Sequence, residues 1–355
     1  MREARVSLST QALSQNLQRV REFAPDSHVL AMVKADAYGH GLAFALNALQ
    51  DADALGVAFF KEAQDIRALG NTQTIVLVEG VFTLNEWLQA PQINAQCVIH
   101  QDCQLQWALE HVVPNAMIWL KVNTGMNRLG FMPNEALAAA QKLRAIGYEI
   151  ILTMHFANAD VPNHPLNQNQ IDTFLALKKQ LDPIKASLCN SAALIQWSQL
   201  HFDWVRPGIM LYGSSPFADR TAAQLNLKPV MTLTTQLIAI HQLPMGAVVG
   251  YGSSFTTTRT TQLGVVAMGY GDGYPRVVSG AHVSIHGQWV PIVGRVSMDM
   301  LTVDLTDLPT LPTLTTEVIM WGNGLDADDA AKATGTISYE LFTRLSMRPI
   351  RYIVA

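Results

Sequence analysis

The stretch "VLAMVKADAYGHG", Val29 to Gly41, runs five apolar residues into a lysine and then at once into Asp36, Tyr38, Gly39, His40 and Gly41. An unbroken apolar run of this length suits a strand buried on both faces, as in a parallel sheet wrapped by helices. Read outward from it, the chain repeats the pattern: "HVLAMVKA" (28–35), "ALGVAFF" (54–60), "TIVLVEG" (74–80), "AQCVIH" (95–100), "AMIWLKVN" (116–123), "EIILTMHF" (149–156), "ASLCNS" (186–191) and "DWVRPGIMLYG" (203–213). Helix-compatible stretches separate the runs. One opens at Ser9 or Thr10 with Leu13, Leu17 and Val20 at helical spacing, and another starts at Pro133 and stops at Gly147. Eight βα units in series predict a (β/α)₈ barrel of the TIM type, with a doubly wound sheet as the rival, which usually needs fewer strands.

After about residue 225 the texture changes to alternating strands broken by Gly, Pro and Asp, as in "PVMTLTTQLIAIHQL" and "AHVSIHGQWVPIVG". This predicts a mainly antiparallel β domain. The expected organisation is therefore a barrel over residues 1–225 and a β domain over 226–355, joined near "SPFADRTAAQLNLKP". The 355 residues are 49% hydrophobic and 15% charged, with a net charge of −4, which describes a well-buried body without the basic footprint of a nucleic-acid binder. No run approaches the ~18 apolar residues of a membrane span. The N-terminus lacks the pattern of a secretory signal. Cys97, Cys103 and Cys189 have no CxxC spacing and read as small buried hydrophobes of a cytoplasmic protein. His155, Asp160 and His164 match no common ligand spacing, so no metal is expected.

In such a barrel the active site forms where the strands end, at their C-termini. The polar residues that close the runs are Lys34, Lys121 with Asn123, His155, Asn190 with Ser191, and Arg206; Arg128 stands in the loop after the fifth run. Strands seven and eight commonly flank a phosphate site, where Ser191, Gly208 and Ile209 would offer a hydroxyl and backbone N–H donors. A lysine above a phosphate site can form an imine with a carbonyl, and pyridoxal 5′-phosphate carries both groups.

"VKADAYGHG", "LKVNTGMNRLGF", "MHFANAD", "NSAA", "DWVRPGIMLYG", "VGYGSSF", "GYGDGYPR" and "GRVSMDM" occur in this order. By these motifs the sequence resembles the fold-type III pyridoxal-phosphate enzymes, and within them the alanine racemase family, over essentially its whole length. The resemblance implies a two-base interconversion of L- and D-alanine. Lys34 would hold the cofactor as a covalent aldimine and Tyr38 would reach its phosphate, with Arg206 facing the pyridine nitrogen. Lys34 and Tyr251 would serve opposite faces of the substrate's α-carbon. A phenol is a poor base at neutral pH without a polar relay, and His155, in contact with Tyr251 and Arg206, is expected to be that relay.

The resemblance also implies that Arg128 orients the substrate carboxylate, that Lys121 is carbamylated to hold Arg128, and that Met298 and Asp299 line the substrate pocket. Tyr270, Arg276 and Arg295 would form the corridor leading to it. Tyr251 would reach the barrel of a second copy, which predicts a homodimer with shared sites. Two departures matter: Asp36 stands where asparagine is common, and Met347 occupies the place of a phosphate-binding tyrosine, so no phosphate role falls to it. A broader-specificity racemase, a decarboxylase of the same fold and a non-catalytic cofactor carrier are the alternatives. Use of D-alanine for a peptidoglycan precursor and its catabolism both fit the sequence.

Overall fold

The computed structural model describes residues 3–114, 116–278 and 280–354. All eight predicted runs form strands: β2 (His28–Met32), β3 (Ala54–Val57), β4 (Ile75–Leu77), β5 (Ala95–Ile99), β6 (Met117–Lys121), β7 (Glu149–Thr153), β8 (Lys185–Ser187) and β9 (Trp204–Val205). They lie parallel in the order β8-β7-β6-β5-β4-β3-β2-β9. Between β8 and β9 closure relies on single bonds: the Ser187 hydroxyl donates to the Trp204 carbonyl at 2.9 Å, and the Arg206 N–H to the Cys189 carbonyl at 2.8 Å. The sheet is thus a nearly closed barrel, its strands buried along almost their whole length as two-sided packing requires.

The expected helices are present with their expected caps. Ser9 caps Thr10–Phe23 by accepting the Ala12 N–H at 3.1 Å, and Pro133 opens Pro133–Ala145. The segment just before the first helix differs from the sequence reading, which ran the barrel from residue 1. β1 (Arg5–Ser9) belongs to the second sheet, where it pairs antiparallel with β10 (Met231–Leu243).

The second sheet adds β13 (Thr261–Val266), β14 (His282–Ile285), β15 (Gln288–Val293), β16 (Leu301–Asp304), β17 (Glu317–Trp321) and β18 (Ile350–Val354); β11 (Val248–Val249) and β12 (Phe255–Thr256) form a small separate hairpin. β10 is long enough to pair with β17 through its first half and with β13 through its second. The chain of pairings β13-β16-β15-β14-β17-β10 therefore returns to β13, and β1 and β18 extend it.

After β17 the chain leaves the β domain for helices Ala327–Ala333 and Ser338–Arg344, which pack on the barrel. Asp328 anchors them there by accepting the Ser214 hydroxyl and, at 2.7 Å, the Ser215 N–H. Cys97 and Cys189 are buried as expected. Cys103 is exposed, because it sits in the first turn of helix Asp102–Glu110 on the face turned from the barrel. Among the described residues no helix is long and apolar enough to cross a membrane.

Candidate active site

A cavity of about 670 Å³ opens at the C-terminal ends of the barrel strands. Its wall includes Lys34, Tyr38, Lys121, Arg128, His155, Ser191, Arg206, Gly208 and Ile209. Nine residues separated by up to 175 positions in sequence thus meet because each ends or follows a barrel strand.

The phosphate-side group is built from three elements. Asn190 caps helix Ser191–Gln196 by accepting the Ala193 N–H at 3.0 Å. This fixes Ser191, whose hydroxyl oxygen accepts the Gly208 N–H at 2.9 Å and so keeps its own hydrogen to donate. A methyl group on Gly208 would run into the Tyr38 hydroxyl, so glycine is what lets the phenol lie against this backbone. The Tyr38 ring stacks on Tyr212 at 4.8 Å, and burial pushes the phenol's pKa far above its ordinary value, keeping it a neutral donor.

Arg206 is buried, and its guanidinium is held by oxygens that carry no charge: Ser187 Oγ at 2.6 Å, the Met154 carbonyl at 2.6 Å and the Leu188 carbonyl at 3.2 Å. Burial lowers its pKa to about 10, which leaves it a cation at neutral pH. Burial and then Arg206, Lys121, Arg128 and Lys34 hold His155 well below the ordinary histidine range, so its ring is neutral. Lys121 is pulled down to about 8, by burial first and then by Arg206 and Arg128, with Glu79 opposing. A cavity with four cationic side chains on its wall against two carboxylates, Glu79 and Glu340, is made for anions.

The remaining predicted residues lie elsewhere. Tyr251, in the short turn Tyr251–Ser253, is 70% exposed and outside the cavity wall, so it makes no contact with His155 within one chain. Arg295 lies against that turn: a methyl group on Gly252 would stand 3.0 Å from its guanidinium. The turn Tyr270–Asp272 is tied to the segment bearing Met298 and Asp299: Tyr270 N–H donates to the Ser297 carbonyl at 3.0 Å and Gly271 N–H to the Met298 carbonyl at 2.8 Å. Arg348 donates to Asp299 at 2.7 Å. Arg276 is exposed in the loop beyond. These residues all lie on the β domain.

Tyr339 was missed by sequence reading. It lines the cavity from helix Ser338–Arg344, its ring 5.9 Å from that of Tyr38. A lone tyrosine in "TISYEL" gives no periodic signal, and only the docking of this helix on the barrel brings it in. Met347, 85% exposed, is not on the cavity wall.

Two family models match nearly the whole chain: the alanine racemase N-terminal domain over residues 8–216 and the C-terminal domain over 230–353. An alanine racemase from Psychrobacter sp. (strain PRwf-1) is 51% identical, with all of both chains covered. The structure of an alanine racemase from Acinetobacter baumannii superposes with a TM-score of 0.96 at 48% identity, again over all of both chains. One from Bartonella henselae, solved with covalently bound pyridoxal phosphate, gives 0.90 at 28% identity over 99% of each chain. With its two matched domains, its barrel-mouth lysine and full-length identity of this order, the chain belongs to the alanine racemase family.

Proposed function

We propose that the chain interconverts L- and D-alanine with pyridoxal 5′-phosphate held at Lys34, at a site completed by Tyr251 of a second copy. The observation that carries the reading is the cradle formed by Tyr38, Ser191 and Gly208 beside Lys34 and the buried Arg206. The donors suit a phosphate, the amine suits an aldehyde, and the carboxylate-free guanidinium suits an uncharged ring nitrogen. When bound, the cofactor would supply a conjugated ring able to take up the electron pair left at the α-carbon.

The chain's own groups do the rest. Arg128 orients the alanine carboxylate from the rim of the cavity, and Lys121, pulled down to about 8, offers a larger share of free amine for carbamylation than an ordinary lysine does. Met298 and Asp299 with Tyr270, Arg276 and Arg295 of the second copy narrow the approach, which favours a methyl side chain. Lys34 Nζ takes the α-proton on one face of the substrate, and Tyr251 Oη returns one on the other. His155, neutral and partly buried, relays polarity between the phenol and Arg206. Because Arg206 stays protonated, it does not hand a proton to the ring, and this restrains side reactions that need one.

The test is borohydride reduction of the holoenzyme followed by peptide mapping, then α-proton exchange from each alanine enantiomer in deuterated water. A label on Lys34 with exchange from both enantiomers supports the reading. A label elsewhere, or release of carbon dioxide in place of the opposite enantiomer, ends it.

A further inference from the structure

The turn that carries Lys34 is left-handed. Ala35, Asp36 and Ala37 have φ and ψ between 51 and 54°, and Tyr38 has φ 54°, with no glycine before Gly39. L-residues in this region cost about 1–2 kcal/mol each, and such backbone persists only where its surroundings over-determine it. Tyr38 is fixed by His40, whose Nδ1 donates to the Tyr38 carbonyl at 3.0 Å, and the Asp36 carboxylate accepts the Leu42 N–H at 2.7 Å. The start of the turn has a different holder.

Glu62 is the third residue of helix Phe60–Ala68. Its Oε2 accepts the Ala58 N–H at 2.7 Å, just beyond β3, and its Oε1 accepts the Ala35 N–H at 2.7 Å. The first bond is an ordinary grip on the chain ahead of a helix. Glu86 makes the same bond at the start of Leu84–Gln89, accepting the Phe82 N–H at 2.7 Å. What sets Glu62 apart is its other oxygen, which leaves its own helix and holds the amide next to Lys34.

We propose that Glu62 is a positioning residue for Lys34: one carboxylate locks the exit of β2 to the exit of β3 and so sets where the Lys34 amine stands. The proposal rests on Lys34 being the cofactor lysine and first base. Losing the clamp lets the turn relax, and a displacement near 1 Å at a reacting group costs about 100-fold.

The experiment compares Glu62→Gln with Glu86→Gln in the full chain. The enantiomers are equal in free energy, so any loss lowers kcat/KM equally in both directions. The signature of Lys34 is the α-deuterium isotope effect, which should rise only for the enantiomer whose proton Lys34 removes. We expect Glu62→Gln to lower kcat/KM about 10- to 100-fold with that one-sided rise. In the cofactor-free chain the Ala35 amide should exchange with solvent about tenfold faster. Glu86→Gln should change none of the three. If Glu62→Gln does not fold, Glu62→Asp, too short to span both amides, takes its place. A Glu62 variant indistinguishable from Glu86→Gln in isotope effect and Ala35 exchange overturns the proposal. A borohydride label away from Lys34 instead overturns the functional reading, which the amide exchange does not depend on.

Discussion

The barrel mouth and the β-domain face around Tyr251 are built in opposite ways. At the mouth the key groups are enclosed: Tyr38 is buried against Tyr212, Arg206 is buried and held by Ser187 and the Met154 and Leu188 carbonyls, and His155 is held neutral. On the β-domain face Tyr251 is 70% exposed, Met298 54%, and neighbouring Met245 and Val248 are 74% and 60% exposed. Within one chain Lys34 lies on the wall of the cavity and Tyr251 does not. The exposed tyrosine and methionine side chains fit the proposed two-fold assembly, in which a second copy would cover them.

The largest effect should come from separating the two halves. Lys34→Ala and Tyr251→Phe should each lower kcat by at least about 10²-fold. When the two inactive chains are mixed and allowed to exchange subunits, about a quarter of wild-type activity should return, because half the dimers are mixed and each of those has one intact site. No recovery despite proven exchange would mean that each chain completes its own site.

Next comes the cradle. Gly208→Ala pushes a methyl group into the Tyr38 hydroxyl. It should cost about 1–3 kcal/mol and weaken cofactor binding, and adding Tyr38→Phe should recover part of the melting temperature while leaving the affinity low. If Gly208→Ala binds the cofactor as the wild type does, the cradle is not where the phosphate sits.

The smaller effects concern charge at the mouth. Lys121 has a folded pKa of about 8 against an ordinary 10.5, so between these values the unfolded chain binds more protons. In a chain whose Lys121 amine is not carbamylated, stability should therefore rise as pH climbs from about 8 toward 10.5, and Lys121→Gln should flatten that rise by about 2 °C in melting temperature. Burial lowers the pKa of His40 to about 4, and its Nε2 has no hydrogen-bond partner among the described residues. Here stability should fall as pH drops from about 6.5 to 4.

Much of this was legible in the residues. Eight apolar runs gave eight barrel strands, because two-sided burial writes itself into sequence as unbroken Val, Ile and Leu. The mouth residues Lys34, Lys121, His155, Ser191 and Arg206 followed from their places at the ends of those runs. The alternating texture after residue 225 foretold the second sheet. It could not show that β1 joins that sheet, because a five-residue strand beside a helix looks the same whichever sheet it pairs with.

By itself, then, the sequence determined the barrel, the β domain and the order in which polar groups reach the mouth, since local pattern and strand position are enough for these. Tertiary structure alone decided the rest. It brought Tyr339 over Tyr38 from the far end of the chain. It wound residues 35–38 left-handed, a state costly for residues with a side chain, because Glu62, His40 and the burial of Tyr38 hold it from outside. It also left Tyr251 away from Lys34, a separation set by the docking of two domains, which no local signal encodes.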